Sequence, residues 1–301
     1  MRIANRLLLT DLSLPASAYS VYFMEALRRL LTTYAYNITG SYEDAKDIVQ
    51  DAYLNFMHVE EAIENKKAYL IRTVINLSIN FKNRQKKLLF DYPGVWLPEP
   101  VATEHADAAI NSRETLSYSL MVLLEKLNPK QRAVFILKEA FNYEHEEIAE
   151  VLGMSIENSR KILSRAKAQL RSGDMITSNK ISPAYVDNFI NVIHNTDMEA
   201  LEKLLNEDIV LVSDGGGKVP ASLKPVEGRV HVMKFLLGVY NKFYRNQKIE
   251  KAFINHQPAL LYFIDGALTN CQVFSLNNGK IENIYFIRNP DKLRLLAENL
   301  K

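Results

Sequence analysis

Asn158, Arg160, Lys161, Ser164, Arg165 and Lys167 fall on the outward side of a predicted helix that starts after Ser155 and carries five basic residues, with no acidic one from Arg160 to Arg171. Guanidinium and ammonium groups in this array pair with phosphates or with the acceptor edge of guanine, and an Asn amide pairs with adenine. The chemistry is the reading of duplex DNA from the major groove. A solvated basic face on an ordinary helical hairpin is the competing reading.

Elements on either side must aim that helix. Ile148, Ala149, Val151 and Leu152 form an apolar stripe, and Gly153 follows where a left-handed cap turns the chain. Ser155 serves as N-cap, Glu157 suits the helix dipole, and Ile156, Ile162, Leu163, Ala166 and Leu170 face inward. The spacing predicts a helix-turn-helix.

A second cationic array lies on a helix predicted over 66–87. Arg72, Lys82, Arg84, Lys86 and Lys87 supply charge for a nucleic-acid backbone, while Asn76 and Asn80 offer amides to unpaired base edges. Surface ion pairs with a neighbouring acidic helix are worth about 0–1 kcal/mol each and would not account for the grouping. That acidic helix runs from Tyr42 to about His58, with Ser41 as N-cap. It shows Asp44, Asp47, Gln50 and Asp51 on its polar side, which by spacing alone reads as a solvated face.

The chain has 301 residues, 48% of them hydrophobic, enough for two or three domains with their own cores. A formal charge of +2 means that any nucleic-acid site is a local patch. The single cysteine, Cys271, excludes an intrachain disulfide and a CxxC zinc site, as expected for a reducing cytoplasm. No apolar run is long enough for a membrane span, and no cofactor is implied.

Pro93, Gly94, Pro98 and Pro100 mark a linker over 89–110 between helical units over 18–88 and 111–172. It holds the only tryptophan, in Trp96-Leu97-Pro98-Glu99-Pro100. Beyond Gly173 the pattern changes to an α+β domain over 173–301, in which helices pack on a curved antiparallel sheet with hairpins at Asp265-Gly266 and Asn278-Gly279. A pocket between helices and sheet is expected there. His194, Asp214, His231 and Asp265 form no recognisable catalytic pair or triad, so an enzyme is not the expected reading. Asp214-Gly215-Gly216-Gly217-Lys218 lacks phosphate-loop spacing and reads as a flexible contact loop.

In order, the acidic helix, the basic helix, the linker and the helix-turn-helix resemble a bacterial extracytoplasmic-function sigma factor. Trp96 to Pro100, Asp214 to Lys218 and Asn289-Pro290-Asp291-Lys292-Leu293 resemble the three short motifs of the subgroup with a fused SnoaL-like (NTF2-like) domain. The resemblance implies that Asp44, Asp47, Gln50 and Asp51 grip the clamp of the beta-prime subunit of core RNA polymerase, with the beta flap as a further contact. It also implies that the basic helix melts the minus-ten element and that the helix-turn-helix reads the minus-thirty-five element of promoter DNA. Family members commonly carry an apolar residue where Ser159 stands. The fused domain would regulate the chain through the three motifs without a separate anti-sigma factor, with a small-molecule ligand in its pocket as a further expectation. The alternative is a one-component, ligand-sensing regulator, which needs neither the acidic nor the melting helix.

Overall fold

The computed structural model describes residues 16–59, 62–104, 110–171 and 183–300. The boundary expected at Gly173 lies outside them. Helix α1 (Ala16–Thr39) ends at Gly40, and Ser41 caps α2 (Tyr42–Met57), its Oγ accepting from the Asp44 amide at 3.2 Å. α3 (Lys66–Leu88) starts on Asn65, whose side chain accepts from the Ala68 amide, and ends in Lys86 and Lys87, where cations suit the carbonyl end of the dipole. Leu31, Ala35, Ala45, Val49, Val74 and Ile75 close the three helices on one another.

The second helical unit comprises α4 (Tyr118–Leu123), α5 (Pro129–Phe135), α6 (His145–Leu152) and α7 (Ile156–Arg171), with a π-helical turn over Ile136–Ala140 after α5. Asn128 and Gln131 form a capping box at the start of α5, with Pro129 in its first turn. The two units are not separate beads on a linker. One apolar core runs from Leu31 and Ile75 through Met121, Ala133 and Ile136 to Leu163.

The remaining elements are α8 (Pro183–His194), α9 (Met198–Leu204), β1 (Leu205–Asp214), β2 (Val226–Glu227), α10 (Arg229–Val239), β3 (Lys248–Ile254), β4 (Gln257–Ile264), β5 (Ala267–Asn277), β6 (Lys280–Ile287) and α11 (Pro290–Asn299). They build a six-stranded sheet ordered β2-β1-β6-β5-β4-β3. The expected antiparallel hairpins are present, with φ of 50° and 80° at Asp265-Gly266 and 51° and 77° at Asn278-Gly279. The sheet is nonetheless mixed: β1 lies parallel to β6, Leu211 opposite Ile284. β1 and β6 are joined by a long crossover through α10 and the four strands β2 to β5, not by a hairpin, and such a connection permits parallel pairing.

Both faces of the sheet are buried, which explains why its strands read as nearly continuous apolar runs. Leu260, Tyr262, Phe274 and Phe286 face α8 to α10. Leu261, Cys271, Val273, Tyr285 and Ile287 face the other way and pack with Leu97 of the linker, Tyr118 of α4, and Leu293 and Leu296 of α11. Cys271 is a core thiol, its pKa pushed well up by burial.

The β3–β4 turn, which the sequence pattern does not flag, fixes the sheet to the helices. Asn255 and His256 both take left-handed φ, 47° and 63°. Asn255 is fully buried: its Oδ1 accepts from the Val101 amide at 3.1 Å, and its Nδ2 donates to the Leu116 carbonyl at 3.1 Å and the Tyr36 hydroxyl at 2.9 Å. Gln257 Oε1 accepts from the Ser119 amide at 2.6 Å. One hairpin tip thus ties α1, the linker and α4 together. Asn255→Ala is expected to destabilise the chain by about 2–4 kcal/mol, from strained backbone and orphaned buried partners, read by urea unfolding.

Candidate functional site

The outward face of α7 is open. Asn158, Arg160, Lys161, Ser164 and Arg165 are exposed and Lys167 is half-buried, while Leu163, Ala166 and Leu170 are in the core. Two of the cations have acidic neighbours, Arg160 at 3.8 Å from Glu146 and Lys167 at 2.8 Å from Glu139. Both pairs are solvated and contribute little. Ser159 points inward, its Oγ 2.9 Å from His145 Nδ1, so the departure from the family pattern there touches packing and not the reading face.

On α3, Arg72, Asn80, Arg84, Lys86 and Lys87 are exposed, although Lys86 Nζ also donates to the Leu127 carbonyl at 2.7 Å. Asn76 is half-buried, and its Nδ2 donates to the Val151 carbonyl of α6 at 3.2 Å as well as to Arg72 O. Lys82 departs from the expectation altogether. It is 1% exposed, donates to the Thr39 carbonyl at 2.8 Å and pairs with Glu125 at 2.9 Å. Its position falls on the inward stripe with Ser78 and Ile75, and Glu125 compensates the charge there. Sequence spacing alone could not see this partner. Phe90, just past α3, is 91% exposed beside Lys86 and Lys87 and was not among the sequence candidates. On α2, Asp47, Gln50 and Asp51 are exposed and Asp44 is half-buried.

The three short motifs converge. Asp214 is 1% exposed, and its carboxylate accepts from the Tyr92 hydroxyl at 2.5 Å, the Leu97 amide at 2.9 Å and the Gly216 amide at 2.9 Å. Lys292 Nζ pairs with it at 2.6 Å and also donates to the Leu97 carbonyl. Asn289 Nδ2 donates to the Tyr92 hydroxyl at 3.2 Å, and Lys218 pairs with Asp291 at 2.6 Å. The glycine loop is closely packed and not a loose contact loop: a Cβ on Gly217 would lie 2.6 Å from the Pro93 ring.

Trp96 lies between two cations, with Lys292 Nζ 4.2 Å and Lys82 Nζ 4.4 Å from its ring. Desolvated contacts of this kind are worth about 2 kcal/mol each. Glu99 caps α2, its Oε2 accepting from the Tyr42 amide at 2.6 Å and its Oε1 from Ser41 Oγ at 2.9 Å, while the Pro98 carbonyl accepts from the Tyr118 hydroxyl at 2.7 Å. Beyond Lys82, Glu125 also meets Arg132, another side chain only 1% exposed, whose Nε donates to the Asn37 carbonyl at 3.0 Å. Three buried cations (Lys82, Arg132, Lys292) thus face three carboxylates (Glu99, Glu125, Asp214).

Residues 23–88 match the family described as Sigma-70 region 2, and residues 117–170 match Sigma-70, region 4. The sequence is 31% identical over 284 residues to the ECF RNA polymerase sigma factor SigJ of Mycobacterium tuberculosis, covering 89% of this chain and 91% of that protein. The chain belongs to the extracytoplasmic-function (ECF) sigma factors. A "Probable ECF RNA polymerase sigma factor SigI" of Mycobacterium tuberculosis is 24% identical over 91% of this chain and 95% of its own length. The crystal structure of Mycobacterium tuberculosis SigJ superposes with a TM-score of 0.75 at 29% identity, over 91% of this chain and 98% of that one, so the likeness extends through the sheet domain.

This sigma factor therefore directs promoter recognition in transcription initiation, with core RNA polymerase and promoter DNA as partners. No helix among the described residues is long and apolar enough to cross a membrane. His194 and His231 are exposed and separate, and Asp265 sits in its turn, leaving Asp214 as the one buried member of the four polar candidates in the sheet domain.

The buried cluster has a pH signature. Burial pulls the Lys82 ammonium from 10.5 down to about 7, against the attraction of Glu125, and pulls Lys292 down against Asp214. The packed chain therefore holds fewer protons on these lysines than the solvated chain, and raising the pH from about 7 to 10.5 favours the packed form. The sigma factor is expected to gain thermal stability as the pH rises from about 7 to about 9, with a flatter profile for Lys82→Met. Equal slopes for the two proteins would contradict the placement of Lys82.

Proposed function

We propose that the C-terminal domain of this ECF sigma factor is a built-in regulator that holds the two promoter-reading modules closed through the Trp96–Asp214–Lys292 contacts. The observation that carries the reading is the contact between the modules, Asn76 Nδ2 on α3 to the Val151 carbonyl on α6 at 3.2 Å. Elements at minus-ten and minus-thirty-five are separated by about 85 Å of B-form duplex at 3.4 Å per base pair. Modules in hydrogen-bond contact cannot occupy both at once. The closed chain also withholds Lys82 and Asn76 from DNA.

The α2 face is left open, and this sets an order of events. Asp47, Gln50 and Asp51, with Asp44 at the edge, bind the clamp of the beta-prime subunit while the chain is still closed. Opening then frees α3 to hold the melted minus-ten strand through Arg72, Asn76, Asn80, Lys82, Arg84, Lys86 and Lys87, with Phe90 as a stacking surface for an unpaired base. α7 reads the minus-thirty-five element through Asn158, Arg160, Lys161, Ser164, Arg165 and Lys167, its module resting on the beta flap. The motif residues Trp96 to Pro100, Asp214 to Lys218 and Asn289 to Leu293 form the regulatory contact, and no separate anti-sigma factor is needed to keep the chain closed. All of this takes place in the cytoplasm.

Run-off transcription with purified bacterial core polymerase on a promoter library tests the assignment. Promoter-selective transcripts are expected only when the protein is added. Trp96→Ala removes both cation–π contacts and should raise the affinity of the free chain for its promoter duplex at least about tenfold, the equivalent of 1.4 kcal/mol. Unchanged affinity in a folded Trp96→Ala chain would count against the closed-state reading. Reversing charge with Asp47→Lys and Asp51→Lys should lower affinity for core polymerase while leaving promoter-duplex binding by the free chain intact, measured by fluorescence anisotropy with each partner.

A further inference from the structure

The pocket expected between helices and sheet is filled. Val232, Leu236, Leu237 and Tyr240 hold α10 and its end onto the sheet core, and the gap left beside β4 to β6 is about 10 Å³, room for about one water. A partner therefore meets α10 from its outer side only.

That outer side is basic. From Gly228 to Ile249 the chain has no acidic residue and five cations, Arg229, Lys234, Lys242, Arg245 and Lys248, and only the run over 65–90, which holds α3, is longer without an acid. Arg229 pairs with Glu202 at 3.3 Å and Lys248 with Glu250 at 2.5 Å. Lys234, Lys242 and Arg245 are exposed, and none of the three has a carboxylate partner among the described residues. Their support is rigid. Tyr240 and Tyr244 both turn inward from a π-helical turn over Tyr240–Tyr244, with Tyr244 4.5 Å from the Tyr262 ring, and the Arg245 amide donates to the Tyr240 carbonyl at 3.0 Å. Asn241, Lys242 and Phe243 between them are left facing solvent, with Lys242 Nζ 5.1 Å from the Phe243 ring. Lys234 precedes Lys242 by two turns, about 12 Å at 1.5 Å per residue, so the cations form a row and not a point.

We propose that this outer face of α10 binds the phosphodiester backbone of duplex DNA, as a third contact beside those proposed for α3 and α7. Charge identifies the partner. Duplex DNA carries one negative charge per about 1.7 Å of its axis, so a row of unpaired cations meets phosphates along its whole length. The chain as a whole is near neutral at +2, so this row is a local feature and not one sample of a basic surface. A lipid surface fits it less well, because Val232, Met233, Leu236 and Leu237 are buried in the sheet core and leave α10 no apolar face to insert. Backbone contacts of this kind fix the position of DNA and carry no sequence information. The inference rests on promoter DNA as the partner of an ECF sigma factor and does not depend on the closed-state reading above.

Fluorescence anisotropy of the full chain with a promoter duplex and with a scrambled duplex, from about 50 to about 200 mM salt, tests it. Each phosphate contact adds about 0.9 to the slope of log K against log salt, so Lys234→Gln/Lys242→Gln/Arg245→Gln should flatten that slope by about 2–3. At the lowest salt, affinity should fall by the same factor on both duplexes, at least about fivefold. Lys203→Gln/Lys224→Gln/Lys280→Gln removes the same charge from exposed lysines outside this run and should change neither quantity, with circular dichroism checking that both variants are folded. An unchanged slope in the folded α10 variant, or an equal change in the control, would overturn the proposal. Lost binding to phosphatidylserine vesicles with duplex binding intact would overturn it too, and would assign the face to a lipid surface.

Discussion

A carboxylate that is 1% exposed must be paired, and the architecture of this sigma factor is organised around how Asp214 is paired. Its donors come from the linker (Tyr92, Leu97), from its own glycine loop (Gly216) and from α11 (Lys292). Leaving such a charge unpaired costs about 3–5 kcal/mol, a large fraction of a domain's stability. Segments far apart in sequence are therefore held at one point. From there the charges continue through Lys292 and the Trp96 ring to Lys82, then to Glu125 and Arg132 on the far side of the helical core.

That chain of contacts explains why the two basic helices are unequally exposed. α7 shows its basic face to solvent because its inward stripe is satisfied by Leu163, Ala166 and Leu170 in the core. α3 is shared: Arg72, Arg84 and Lys87 are exposed, while Lys82 and Asn76 are taken up by the interior and by α6. Moving a two-state chain from almost wholly closed to almost wholly open needs about 5.5 kcal/mol. Two desolvated cation–π contacts and a buried ion pair are of that order, and so is the differential affinity that a large partner surface can supply.

The sheet adds a second tie, independent of the first. The Asn255-His256 turn enters between α1, the linker and α4, and Asn255 satisfies backbone groups of Val101 in the linker and of Leu116 just before α4, together with the Tyr36 hydroxyl. Neither turn residue is glycine, and nothing local in the sequence shows that Asn255 is buried against the helices. A left-handed Asn is tolerated there because its side chain is bonded on every side. The opposite face of the same sheet packs against α8 to α10, so one layer serves adhesion to the helical units on one side and supports the basic outer face of α10 on the other.

How much was legible follows from the range of each interaction. Local rules within one element place the helix-turn-helix with its outward cations, the caps at Ser41 and Asn128, and the Asp-Gly and Asn-Gly hairpins, since these depend on residues three or four apart. The motifs Trp96 to Pro100, Asp214 to Lys218 and Asn289 to Leu293 could be named from resemblance, but their pairing with one another is a long-range fact. The fusion of two helical units into one core, the parallel pairing of β1 with β6 and the use of the three glycines for close packing were not legible. Lys82 marks the division most sharply. By itself the sequence determined that a lysine stands on a basic helix of a DNA-binding module; only the tertiary structure decided that it is buried, because its carboxylate and its tryptophan lie 43 and 14 residues away in the chain and meet it through packing alone.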